Sequence, residues 1–303
     1  MTTIPQTLFL REHRTSTEII SETFAFFRQN LKHLSQLYLK KVLPYFVFSV
    51  IGIVFLGTLG FLFVDVVGEE LPNIGVMVLG AIGLLGIVVV SALGFAALIA
   101  STFEYMRLYD ENDGVVDIGE VWEAASSQLL WVISAYFGRV FLMALISIPL
   151  IVLFAYLNLG FVSVLLLIPM AYFWNGTSIM FATHFMEGSN FGDSMSRSLS
   201  LIQNNWWHTF GLWFLLGLIF SIFSTANQII VSMFANAGEM LGLSGTGFML
   251  VAVVMGVVFS ILSIFISYIS YALYTIAEGL LYFSLVEDKE AVSLENKIGT
   301  IGE

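Results

Sequence analysis

Three charged residues stand inside long apolar stretches of this 303-residue chain: Glu104, Arg139 and Glu278. A charge in such surroundings is costly and turns toward a partner or a wet cavity. The sequence therefore predicts that Arg139 meets Glu278, Glu104 or both. Ser260, Ser263, Ser267, Ser270, Tyr274 and Glu278 follow one another at intervals of three or four residues, one helical face ending at the glutamate. Tyr136 and Asn175 are expected to line the same region. Two chemistries fit this pattern. One is a structural ion pair with interhelical hydrogen bonds. The other is an inward polar seam that binds a lipid headgroup, an ion or a small solute.

Other chemistry finds little support. The four histidines, His13, His33, His184 and His208, form no metal-ligand motif, and the chain has no cysteine. No metal site and no cofactor are expected. No GxSxG, Walker A or dinucleotide fingerprint occurs in usable context, so no catalytic residue is assigned. The net charge is −11 and there is no basic tract, which argues against nucleic acid as a partner.

The elements that must position these residues are helices. The chain is 58% hydrophobic and 11% charged, with a mean hydropathy of +0.92. Soluble domains carry about 25% charged residues. Several apolar runs reach the roughly 20 residues needed to cross a bilayer, without β-barrel alternation. The fold class expected is all-α and integral to a membrane, with six transmembrane helices. They are read at about Val42–Val66, Ile74–Tyr109, Trp131–Tyr156, a fourth ending near Met186, a fifth ending near Ala235, and Phe248–Val286. An Asn175-Gly-Thr-Ser178 cluster sits in the middle of the fourth. Asn236–Gly247 reads as a loop.

Before each odd-numbered span comes an amphipathic stretch expected to lie in the membrane interface. The first opens on a capping box, Thr15-Ser-Thr-Glu18, and carries Ile20, Phe24, Phe27, Leu31 and Leu34 on one face. The second opens at Asp117-Ile-Gly-Glu120 and carries Trp122, Ala125 and Leu129. The third opens at Asn190-Phe-Gly-Asp193 and carries Met195, Leu199, Ile202 and Trp206. At the elbows, Gln29-Asn-Leu-Lys-His33, Ser127-Gln-Leu-Leu-Trp131 and Asn204-Asn-Trp-Trp-His208 correspond. The reading is three repeats of interfacial helix plus transmembrane hairpin, at about 15–112, 113–188 and 189–290. Residues 1–14 form a polar lead, and 291–303 a short amphipathic tail. The first forty residues hold no signal-peptide pattern.

Two spans per repeat put both termini and all three interfacial helices on one side. All 11 Lys and Arg lie on that side or within a span near it, and the three opposite loops carry none. The positive-inside rule makes that side cytoplasmic.

The elbow copy NNWWHTFGLWFLLGLIFSI and the ending LLYFSLVEDKEAVSLENKIGTIG resemble six-helix bacterial membrane proteins related to the glycerophosphodiester phosphodiesterase membrane domain and the YciC-like group, of Bacteroidetes type. In those proteins the phosphodiesterase is a separate domain, and this chain has none. The resemblance implies a membrane module without hydrolytic activity. The expected function is a non-enzymatic protein of the bacterial inner membrane that interacts with membrane lipids, binds a protein partner or serves envelope maintenance. The alternatives are a small transporter or channel using a seam at Arg139 and Glu278, and a membrane enzyme acting on a lipid or isoprenoid.

Overall fold

The computed structural model describes residues 8–67, 74–158, 164–240 and 246–290. Helices account for nearly all of them, and no strand occurs among the described residues. In chain order the helices are α1 (Ser16–Gln29), α2 (Leu31–Leu37), α3 (Leu43–Val67), α4 (Ile74–Glu111), α5 (Ile118–Ser127), α6 (Leu129–Tyr156), α7 (Leu167–Gly176), α8 (Met180–Glu187), α9 (Phe191–Ile202), α10 (Trp206–Met240) and α11 (Thr246–Glu290). A π-helical turn, Tyr38–Val42, joins α2 to α3. Six segments are long and apolar enough to cross a membrane: Leu31–Thr58, Met77–Glu111, Leu129–Tyr156, Val164–Glu187, Trp206–Ala226 and Ile261–Glu290.

The chain packs as two compact units. One comprises Met1–Ser35, Ile99–Leu216 and Leu273–Glu303; the other comprises Gln36–Leu98 and Gly217–Ala272. The first holds most of the buried side chains, among them Phe26, Phe103, Tyr105, Met106, Ile179, Met180, Leu201 and Phe283. The second is sparsely buried. Inside it Ser91 donates to Ser49 at 3.0 Å, and Tyr268 stacks on Phe95 at 4.8 Å between ring centroids.

The three short helices start as the sequence predicts. Thr15, Asp117 and Asn190 each take a backbone N–H three residues on, at 3.4, 3.2 and 3.0 Å. The Thr15 backbone N–H returns a bond to the Glu18 carboxylate at 2.8 Å, completing the capping box. That bond, with the Thr15 hydroxyl, holds the Glu18 carboxyl below its usual range. At the first elbow the Asn30 backbone N–H and its side-chain amide both donate to the Phe26 carbonyl, each at 3.0 Å.

Packing departs from the sequence reading in several places. The buried face of α1 is Ile19, Thr23 and Phe26, one residue before the apolar stripe, and Phe24 and Leu31 of that stripe are exposed. The helix thus has one face in the core and a second apolar face of half-buried Ile20 and Phe27 and exposed Phe24. α10 continues to Met240, through the start of the expected loop, and α11 begins at Thr246. Gly68–Asn73, Leu159–Ser163, Leu241–Gly245 and the tail after Glu290, including Leu294, Ile298 and Ile301, lie outside the described residues.

The polar lead is a strap within the first unit. Arg14, only 2% exposed, donates to the carbonyls of Leu10 at 2.7 Å, Glu12 at 3.0 Å and Phe9, and pairs with Glu22. Its backbone N–H reaches Ser284 of α11 at 2.9 Å, while Arg11 pairs with Asp110 of α4 at 2.8 Å.

Candidate functional site

The fourth candidate span is broken. α7 stops at Gly176 and α8 starts at Met180, so Thr177, Ser178 and Ile179 lie outside both helices. The cause is local. Asn, Thr and Ser offer the backbone competing hydrogen bonds, and glycine is a poor helix former. The Thr177 hydroxyl bonds the Phe173 carbonyl at 2.8 Å, and the Ser178 N–H turns back to the Asn175 carbonyl at 3.1 Å. Gly176 also leaves room for a neighbour. A Cβ there would meet Leu199 Cδ2 of α9 at 2.8 Å.

Breaking a helix in apolar surroundings frees carbonyls at one end and N–H groups at the other, and each needs a partner. Three neighbouring helices supply them. From α9, the buried Ser198 hydroxyl donates to the Gly176 carbonyl at 2.8 Å. From α6, Arg139 Nη2 donates to the Trp174 carbonyl. From α11, the Glu278 carboxylate accepts the Ala182 N–H at 3.2 Å. The cation thus sits at the C-terminal end of α7 and the anion at the N-terminal end of α8. Each is matched to the partial charge of its helix end.

Arg139 is 5% exposed, and its guanidinium lies 3.9 Å from the ring centroid of Trp174. Its Nε–H has no partner, and no carboxylate among the described residues lies within 4.0 Å of it. Asn175, 4% exposed, donates through Nδ2 to the Trp206 carbonyl at 3.0 Å, but its Oδ1 is unpartnered. The buried Ser178 hydroxyl is also unpartnered. The break therefore carries more hydrogen-bonding capacity than the protein itself uses.

One turn farther along α6 a narrow cleft opens between α6 and α7, with a volume of ≈ 80 Å³. Met143, Ser147 and Leu150 form one wall, and Leu166, Met170 and Phe173 the other. Arg139, one turn before Met143 on α6, is not among the residues that line it.

No family model, curated protein or solved structure matches the chain. The geometry alone carries the functional argument.

The sequence-predicted residues divide into two groups. Arg139, Asn175 and Glu278 converge on the α7–α8 break. Arg139 and Glu278 sense each other's charge but bond to backbone rather than to one another. Glu104 does not join them; it pairs with Arg107 at 2.7 Å, one turn along its own helix. Tyr136 is exposed on α6, edge-on to Phe137. Tyr274 lies 6.0 Å from the Trp213 ring between centroids. Ser263, Ser267 and Ser270 donate to carbonyls four residues earlier at 2.8, 2.9 and 2.8 Å. The Ser260 side chain lies outside the described residues. His13 lies 3.4 Å from Asp288 and near His208, but no cluster of three His, Cys, Asp or Glu suited to a metal occurs among the described residues. His184 is stacked on Trp131, with Nε2 3.3 Å from Gln128 Oε1.

Trp174, Ser194 and Ser198 escaped the sequence reading. In SMSRSLS the serines resemble a solvated face, yet Ser194 and Ser198 are fully buried. Their i, i+4 spacing, opposite the Met195–Leu199 pair, was the available signal. Beyond α8, Gly188 takes φ +65° as its C-cap. Arg197 of α9 bridges Glu187 and Glu290, and Tyr282 donates to Glu187 at 3.0 Å.

Proposed function

We propose that this chain is a multi-pass protein of a bacterial cytoplasmic membrane that interacts with lipid and has no enzymatic role. The carrying observation is the buried guanidinium of Arg139, with an unused N–H, at a break in an apolar span. Six helices of spanning length support the membrane placement. The exposed Phe24 of α1 and the exposed Leu130 and Trp207 at the starts of α6 and α10 suit an interfacial level.

The three-repeat scheme belongs to this proposal. Its support is the shared start of α1, α5 and α9, each capped by a side chain three residues before the bonded N–H and each followed closely by a candidate span. So do the cytoplasmic placement of both termini and the kinship with the glycerophosphodiester phosphodiesterase membrane domain and YciC-like group, which rest on basic-residue placement and on sequence resemblance.

A second reading, a transporter, has one observation in its favour. Transporters place half-helix ends with matched charges at their substrate sites, as α7 and α8 do here. Against it, the α11 serines are satisfied by their own helix.

Native mass spectrometry of the protein released from detergent micelles tests the lipid reading. Expected is a lipid retained at about one per chain; a protein that flies lipid-free at every activation energy overturns it. For orientation, Glu69→Cys should react with an impermeant maleimide from outside whole cells, and Asp113→Cys should not.

A further inference from the structure

Building on the lipid-interacting reading, we infer that the elbow between α1 and α2 binds the headgroup of an anionic phospholipid through Arg28 and Lys32. The other described cations of the first unit are engaged. Arg11 pairs with Asp110, Arg14 with Glu22, Arg107 with Glu104 and Glu111, and Arg197 with Glu187 and Glu290. Arg139 and Lys289 donate to the backbone carbonyls of Trp174 and Ser200. Arg28 and Lys32 are exposed, and neither has a hydrogen bond or ion pair among the described residues. No acid close in the chain compensates them. Between Glu22 and Asp65 the sequence has neither Asp nor Glu, in a protein of net charge −11.

The backbone that carries these two cations is anchored from within. Asn30, between them, ties its backbone N–H and side-chain amide to the Phe26 carbonyl, and its Oδ1 accepts the Tyr105 hydroxyl of α4 at 2.9 Å. Phe26 and Leu34, on either side of the elbow, are fully buried. An anion bound here therefore meets a backbone that is already ordered, which lowers the entropic cost of binding. Arg28 lies in the last turn of α1 and Lys32 in the first turn of α2. Arginine offers a phosphate a planar fork of donors, and lysine a mobile point charge. The neighbours favour a lipid over a soluble anion or an acidic protein. Phe24, four residues before Arg28, and Leu31, beside Lys32, are exposed apolar side chains, and cations mixed with uncovered apolar groups are the pattern of a membrane surface. The first candidate span starts at Leu31, so Lys32 stands where the chain enters the apolar layer, at the level of the phosphates.

The test uses the full chain in detergent micelles, titrated with dioctanoyl phosphatidylglycerol or dioctanoyl phosphatidylcholine, with native mass spectrometry reading the affinity for the first lipid bound. One basic residue at an anionic headgroup is worth about fivefold in affinity. Expected is phosphatidylglycerol at least about tenfold tighter than phosphatidylcholine. Arg28→Gln and Lys32→Gln each weaken phosphatidylglycerol about fivefold, and the double variant binds the two lipids alike. Arg11→Gln, which removes an exposed but paired cation, leaves the preference unchanged. Equal binding of the two lipids by the wild type, or a double variant that keeps the preference, overturns the inference and leaves the lipid reading standing. An Arg11→Gln protein that loses as much preference as Arg28→Gln also overturns it, because the selectivity then belongs to net charge and not to the elbow. Should the double variant not fold, the single variants decide. A chain that takes up neither lipid overturns both the inference and the lipid reading.

Discussion

Replacing Glu278 with Leu removes the acceptor that holds the start of α8. The Ala182 N–H, bonded at 3.2 Å, loses its partner. A buried donor left unsatisfied costs about 1–3 kcal/mol. Buried Arg139 also loses its nearby counter-charge, so the net loss is about 3 kcal/mol, at the low end of values for breaking buried charge pairs. Glu278→Gln keeps an amide oxygen in the same place and loses only the charge, for about 1 kcal/mol. The order Leu > Gln > wild type is the informative result. Arg139→Leu/Glu278→Leu should cost less than the sum of its single variants, because it leaves no lone buried charge. Equilibrium unfolding in mixed micelles by sodium dodecyl sulfate, followed by tryptophan fluorescence, reads all four. A Glu278→Leu protein within about 0.5 kcal/mol of the wild type, the scatter expected of a neutral surface change, would refute the claim that this carboxylate caps a broken helix.

Three further outcomes follow from the same geometry. Ser198→Ala leaves the Gly176 carbonyl without its 2.8 Å donor in a buried place and should cost about 1–3 kcal/mol in the same titration, whereas the exposed Ser196→Ala should cost nothing measurable. Gly188→Ala meets no atom within 4 Å, so only its φ of +65° opposes the substitution, and the loss should be about 1–2 kcal/mol. Glu18 titrates below its ordinary value, so its contribution is present above the unfolded carboxyl pKa and is lost as pH falls through the folded one. The stability difference between wild type and Glu18→Gln should therefore be full at pH 7 and vanish toward pH 3.

Much of the fold was legible because its determinants are local. Apolar run length gave the six spanning segments, and the caps Thr15, Asp117 and Asn190 gave the starts of the three short helices. Arg139 and Glu278 stood out because charge in an apolar run needs a reason. Their actual partners were harder to read. A charge scan looks for an opposite charge, but here each ion bonds the backbone of a third element, and backbone groups leave no mark in sequence. The Asn175–Ser178 cluster was noticed without its consequence: whether such residues break a helix depends on donors such as Ser198 being in place to meet the freed carbonyls. For Glu104 the nearer cation, Arg107 at i+3, prevailed over a distant one. Along α11 the described serines Ser263, Ser267 and Ser270 each donate to the carbonyl of the preceding turn, a bond that spacing alone does not reveal.

The most direct measurement is a cryo-electron microscopy structure of the full chain in lipid nanodiscs. Expected is a gap in the fourth span at Thr177–Ile179 lying within the hydrocarbon layer, with Arg139 and Glu278 on its two ends. An unbroken helix from Val164 to Glu187, or a break lying in water outside the bilayer, would contradict it.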